Sequence, residues 1–135
     1  MLAVAAAGSG AAIGATQAAS PAQVVRAWSH ALNLNHNAAA AALFAPNAHV
    51  VQPGVDAVLT NRALATAFNA ALPCAGRVIA LTVQGNRATA TFILGHRPQH
   101  RCDGPGQKAA ALFVVRNGKI VLWQQVPAPP SLPTA

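Results

Sequence analysis

At 135 residues the chain has room for one domain. With 53% hydrophobic and 8% charged residues it has ample apolar material for a core and is too apolar for a disordered tail. Nine Lys and Arg face only two acids, Asp56 and Asp103, and there is no Tyr. Any mechanism that needs a carboxylate pair plus a tyrosine is therefore excluded.

Leu2 to Ala19 carries no charge and is too rich in Ala and Gly to hold a bilayer span of about 20 strongly apolar residues. Its length suits a signal-peptide h-region, and the small residues Thr16 and Ala18 suit a cut after Ala18. Residues 1–19 are expected to form an export leader. The alternative is an Ala-rich extension, since no basic n-region precedes the apolar run.

Ser20-Pro21-Ala22-Gln23 combines an N-cap, Pro at the first helical position and the Gln of a capping box. A helix follows, with Val24, Val25, Trp28, Ala31 and Leu32 on its apolar side. Ala38 to Phe44 reads as a second short helix ended by Pro46, and His49 to Gln52 as a short strand closed by Pro53-Gly54. A third helix is expected from about Asn61 to Leu72, capped by Thr60, with Leu64, Phe68 and Leu72 stacked at four-residue spacing.

After Pro73 the period changes from 3.6 to 2. Strands at 77–84 and 87–94 flank Gly85-Asn86, whose leading Gly suits a type II′ turn. The register then sets Val83 against Ala88, Leu81 against Ala90 and Ile79 against Phe92. Strands at 108–116 and 119–126 flank Asn117-Gly118, a strong hairpin signal. Both faces of this pair are apolar: Ala111, Phe113, Val115, Ile120 and Leu122 on one, Leu112, Val114, Val121 and Trp123 on the other. Helices can cover the first, which leaves Leu112, Val114, Val121 and Trp123 as a dimer face. Residues 128–135 read as a Pro-rich disordered tail, so the domain is expected at 20–127.

Extending the first hairpin's register back along the ladder puts Cys74 opposite Arg97, with Cys102 in the loop that follows. A loop folding back over the strand end can bring the two within bridging distance, so a Cys74–Cys102 disulfide is expected, against two buried free thiols. With the leader, the bridge points to a secreted or cell-envelope location. The loop from His96 to Gly106 gathers two Arg, two His and Asp103. Pro98 opposes the helical spacing that would set His96 and His100 side by side, so no metal site is expected. The nine cations are scattered without a run or interleaved aromatics, which argues against specific nucleic-acid binding. No cofactor signature is present.

This order of elements resembles the nuclear transport factor 2-like superfamily, which includes ketosteroid isomerase-like and SnoaL-like proteins. The likeness is carried by Val24-Val25-Arg26-Ala27-Trp28, by Leu43-Phe44-Ala45-Pro46-Asn47-Ala48-His49-Val50, by the helix Leu64 to Leu72, and by Asn117-Gly118-Lys119-Ile120-Val121. It implies an α+β, cone-shaped fold, three N-terminal helices packed on a curved antiparallel sheet. It also implies an Asp-Pro pair whose carboxylate is a general base, yet the matching pair here is Gln52-Pro53. A neutral amide cannot take a proton from carbon, and the acid and Tyr of the related oxyanion hole are missing. Limonene epoxide hydrolase-like members need an Asp-Arg-Asp set that two distant acids do not supply.

What remains for a ligand pocket is Trp28, His49, Gln52, Phe68, Asn69, Phe92, Phe113 and Gln124, with Gln125 and Trp123 beside them. The reading is an exported, homodimeric, non-catalytic domain that binds a small apolar ligand or a protein partner. The alternative is an isomerase- or cyclase-type enzyme with His49 or Asp56 as base.

Overall fold

The Ser20 hydroxyl accepts from the Gln23 amide at 3.2 Å, and the Gln23 side chain accepts from the Ser20 amide at 2.8 Å. The expected capping box is therefore closed, and it starts helix α1, Pro21–Asn33. The computed structural model describes residues 17–130. Most of the expected leader (1–19) and the last five residues of the expected tail (128–135) lie outside the described residues. After α1 come α2 (Asn37–Ala41), β1 (Phe44–Gln52), β2 (Val55–Leu59), α3 (Arg62–Ala71), β3 (Cys74–Gln84), β4 (Arg87–His96), β5 (Lys108–Arg116) and β6 (Lys119–Val126).

The six strands form one sheet in the order β2-β1-β6-β5-β4-β3, with the three helices packed on its concave face. It is not wholly antiparallel as expected: β1 and β6 run parallel, while the other four pairings are antiparallel. The short helix α2 ends early because Phe44 already belongs to β1, which therefore begins five residues before His49. Between Phe44 and His49 the ladder with β6 is interrupted. Pro46 cannot donate there and Asn47 takes a positive φ of 62°, a conformation Asn tolerates.

Two single-residue bulges re-aim side chains. Val83 faces Ala88 and Leu81 faces Ala90 as expected, but Phe92 pairs with Val78 because Ile79 is an extra residue in β3 and stands exposed. The slip moves Cys74 from Arg97 to His96. In the second hairpin Val115 pairs with Ile120 and Val114 with Leu122, leaving Val121 as the extra residue. The faces swap beyond it, since side chains alternate strictly along a strand. Trp123 therefore lies with Phe113 on the core face and Leu122 takes the outer face with Leu112 and Val114, which corrects the expected dimer face at Trp123.

Helix α3 is capped by Asn61, whose side chain accepts from Leu64 N at 2.9 Å, rather than by Thr60. Its buried positions are Ala65 and Asn69, with Phe68 and Leu72 packed beside them and Leu64 exposed. The helix is thus turned by about one residue from the expected stack. The six aromatic rings of the chain form one chain of contacts: Phe44 to Phe68 at 6.0 Å, Phe68 to Trp123 at 5.2 Å, then Trp28 against Trp123, Phe92 and Phe113 at 6.1, 6.0 and 5.3 Å. Most of these pairs are edge-to-face, the arrangement that ring quadrupoles favour.

Candidate ligand site

β3 begins beneath α1, and three hydrogen bonds fix that start. Gly76 O accepts from Ser29 Oγ at 2.6 Å and from Asn33 Nδ2 at 3.0 Å, and Gly76 N donates to Asn33 Oδ1 at 2.9 Å. Gly76 is also where the Phe92 ring comes closest: a Cβ there would meet the ring and its Cβ at 3.0–3.1 Å. The absence of a side chain at Gly76 lets the Phe92 side chain approach the β3 backbone this closely.

Between that strand start, α1 and the inner faces of β1, β4, β5 and β6 lies a cavity of about 220 Å³. Trp28, Leu32, Leu72, Phe92, Leu94 and Trp123 supply most of its walls, with Ala109 to Ala111 on β5 as a shallow floor. Gln52 and Gln125 contribute the only side-chain amides, and no ionisable side chain lines it, since Cys74 is oxidised. The Trp28 indole is already spent: its Nε1 donates to Asn69 Oδ1 at 2.7 Å.

Of the residues expected in a pocket, Trp28, Gln52 and Phe92 line this cavity. Phe68, Asn69 and Phe113 lie outside its lining in the core; Asn69 is fully buried, and its Nδ2 donates back to Ala65 O at 2.8 Å. His49 and Gln124 are on the other face of the sheet. Ala48 and Val50 point inward and are buried, so His49 between them points out, beside Val58 and Leu122. Asp56 is on the same outer face, its carboxylate 3.7 Å from His49 Nδ1, with side chains 56% and 72% exposed. An ion pair that open to water contributes little. Neither His49 nor Asp56 can reach a molecule in the cavity, so the two expected base candidates are displaced from the site by the alternation of β1 and β2. Gln125 was legible as a polar neighbour and does line the cavity.

A family model described as the SnoaL-like domain matches residues 25–123. The chain belongs to the SnoaL-like domain family. Solved structures share its fold at low identity. An NTF2-like protein of unknown function from Cytophaga hutchinsonii is 18% identical, with a TM-score of 0.66 over 83% of this chain and 92% of that one. A protein with a ketosteroid isomerase-like fold from Catenulispora acidiphila, solved with trimethylamine, is 19% identical, with a TM-score of 0.63 over 82% and 88%. A protein from Sinorhizobium meliloti provisionally named a polyketide cyclase is 21% identical, with a TM-score of 0.62 over 76% and 93%. No curated protein matches the sequence.

Sequence reasoning missed the chief polar feature of this SnoaL-like domain, the side chain of Arg97. It is 2% exposed and accompanied by no carboxylate. Its guanidinium donates to Asn69 O at 2.8 Å, to Leu72 O at 2.5 Å, to Asn35 Oδ1 at 2.8 Å and to Asn37 Oδ1. One side chain thereby ties the end of α3 to the turn between α1 and α2. The fixed fork of a guanidinium can meet several oxygens at once, which an ammonium cannot. Burial pushes its pKa below the usual guanidinium range. The sequence signal available was Asn35-His36-Asn37, a pair of side-chain acceptors two residues apart.

The expected bridge is present: Cys74 and Cys102 are disulfide-bonded with Cα atoms 4.7 Å apart. The loop turns back over the β4 end, where Cys102 N donates to His96 Nδ1 at 2.9 Å. Cys74 also lines the cavity, so the bridge fixes one stretch of its rim.

Proposed function

We propose that this SnoaL-like domain is an exported, non-catalytic protein that binds a small apolar molecule in its cone and pairs with a second copy through the outer face of its sheet. The observation that carries the ligand reading is the lining: an apolar cavity without an acid, a histidine or a free thiol has nothing to abstract or deliver a proton. The rival, an isomerase- or cyclase-type enzyme using His49 or Asp56, would need a base that crosses the sheet. Toluene titrated calorimetrically into the protein is expected to bind at one site, and the cavity-filling variant Ala109→Phe to lose that binding. His49→Ala and Asp56→Ala should bind toluene like the parent protein. Loss of binding in either of those two would instead favour the enzymatic reading.

The disulfide supports an oxidising compartment, because such bridges persist where thiols are not kept reduced. No helix among the described residues is long and apolar enough to cross a membrane. The pairing reading rests on the outer face, where the half-buried Leu112 and Leu122 flank Val114, itself already buried, with Val58 beyond them, 39% exposed. A second copy brings the same apolar stripe with the same curvature. Sedimentation equilibrium is expected to give a dimer for the parent protein and a folded monomer for Leu112→Glu; a monomeric parent protein at tens of micromolar would sink the pairing.

A further inference from the structure

We infer that the ligand is an uncharged amphiphile, held apolar end inward, with a carboxamide-like head hydrogen-bonded by the paired amides of Gln52 and Gln125. The inference rests on the cavity reading above and adds the chemistry of the head. β1 and β6 run parallel with Val51 beside Gln124, so the next rung sets Gln52 beside Gln125, both on the inner face. Two adjacent side-chain amides offer donors and acceptors together, the set that complements a carboxamide, which also has both.

The rest of the lining leaves the head little choice of place. The other wall residues, Leu32, Leu72, Pro73, Phe92 and Leu94 among them, can only receive hydrocarbon, and the Trp28 N–H is committed to Asn69. Trp123, two residues before Gln125 on the same face and opposite Val50, keeps a buried Nε1 with no acceptor. That corner of the cone is thus short of an acceptor oxygen, which a carbonyl head would bring. A charged head fares worse. No cation or anion lines the cavity to pair with it, and a charge at Gln52 and Gln125 gives up part of its hydration with no partner in return.

The probes are hexanamide, hexanoate and hexylammonium, with toluene as a purely apolar control, each titrated into the disulfide-bonded protein at neutral pH. Hexanamide is expected to bind at least about tenfold more tightly than either charged analogue, the scale of one or two buried hydrogen bonds. In the variant carrying Gln52→Leu and Gln125→Leu, hexanamide should weaken by about tenfold or more while toluene stays within about threefold, by the same reasoning. Gln52 is half-buried and Gln125 exposed, so folding is expected to survive, and each single variant gives an independent reading. Equal binding of hexanoate or hexylammonium, or hexanamide binding untouched by the leucines, would overturn this inference while leaving the cavity reading in place. Failure of toluene to bind the parent protein would overturn the cavity reading itself, and this one with it.

Discussion

Replacing Arg97 with methionine is expected to lower the unfolding free energy by about 3–5 kcal/mol, measured as a shift in urea midpoint at constant slope. Methionine matches much of the side chain's bulk, so the loss comes from the oxygens left behind. The Leu72 carbonyl and Asn37 Oδ1 would lose their donor outright, while Asn69 O keeps only the Leu72 amide at 3.3 Å and Asn35 Oδ1 only Asn37 Nδ2 at 3.4 Å. Each acceptor left buried and unmet costs about 1–3 kcal/mol, partly relieved where water can enter from the nearby loop. Arg97→Lys should recover only a minor part, since one ammonium cannot span both the α3 end and the Asn35–Asn37 turn.

The pH dependence of this effect has a definite sign. Burial lowers the folded pKa of Arg97, so between the folded and unfolded values the unfolded chain holds more protons and stability rises with pH. That window is strongly alkaline. Between about pH 5 and 8 the group is charged in both states, and the cost of Arg97→Met should be flat across that range.

The second large effect is loss of the Cys74–Cys102 bridge. The cysteines are 28 residues apart, and closing a loop of that length restricts the unfolded chain by about 3.5 kcal/mol on the loop-entropy account. The paired variant Cys74→Ala, Cys102→Ala is expected to melt roughly 10–20 °C lower in calorimetry. Because Cys74 lines the cavity, the same variant should also bind toluene less tightly. A melting point within about 3 °C of the parent would mean that the loop is held by its hydrogen bonds alone.

Much of the architecture was readable because local signals agreed with one another. Ser20, Pro21 and Gln23 each pointed to the same helix start, and the two hairpin turns carry positive φ at Gly85, Asn117 and Gly118 as their residue types require. The disulfide followed from counting along one ladder, and it survived an error of one residue because a loop can absorb it. What could not be read were the bulges. Ile79 and Val121 are ordinary strand formers, and nothing in a run of apolar residues marks which one drops out of the pairing. The slip at Val121 carried Trp123 from the expected dimer face into the core and Leu122 the other way. The site suffered more than the fold for the same reason. His49 was attractive as a residue type, but whether it faces the cone depends on the parity of β1, and that parity is set by the irregular stretch around Pro46 and Asn47. Arg97 escaped because one residue in a charged loop reads as solvated, and its four acceptors come from two distant parts of the chain, 35–37 and 69–72.

The parallel pairing of β1 with β6 bears on how the molecule reaches its native state. β1 and β2 can form a local hairpin early, but β1 joins the main sheet only through the last strand, where His49 meets Leu122 and Val50 meets Trp123. Contacts between segments so far apart in sequence carry a large loop-closure cost before they reward it. The β3 to β6 meander, by contrast, is built of neighbouring strands and can grow by successive hairpins. Docking of β1 on β6 is therefore expected late, in the step that sets Val50 beside Trp123 and brings Gln52 to the cavity wall. Until that step the inner edge of β1 is unpaired and apolar, and a chain that loses its C-terminal strand would expose it permanently.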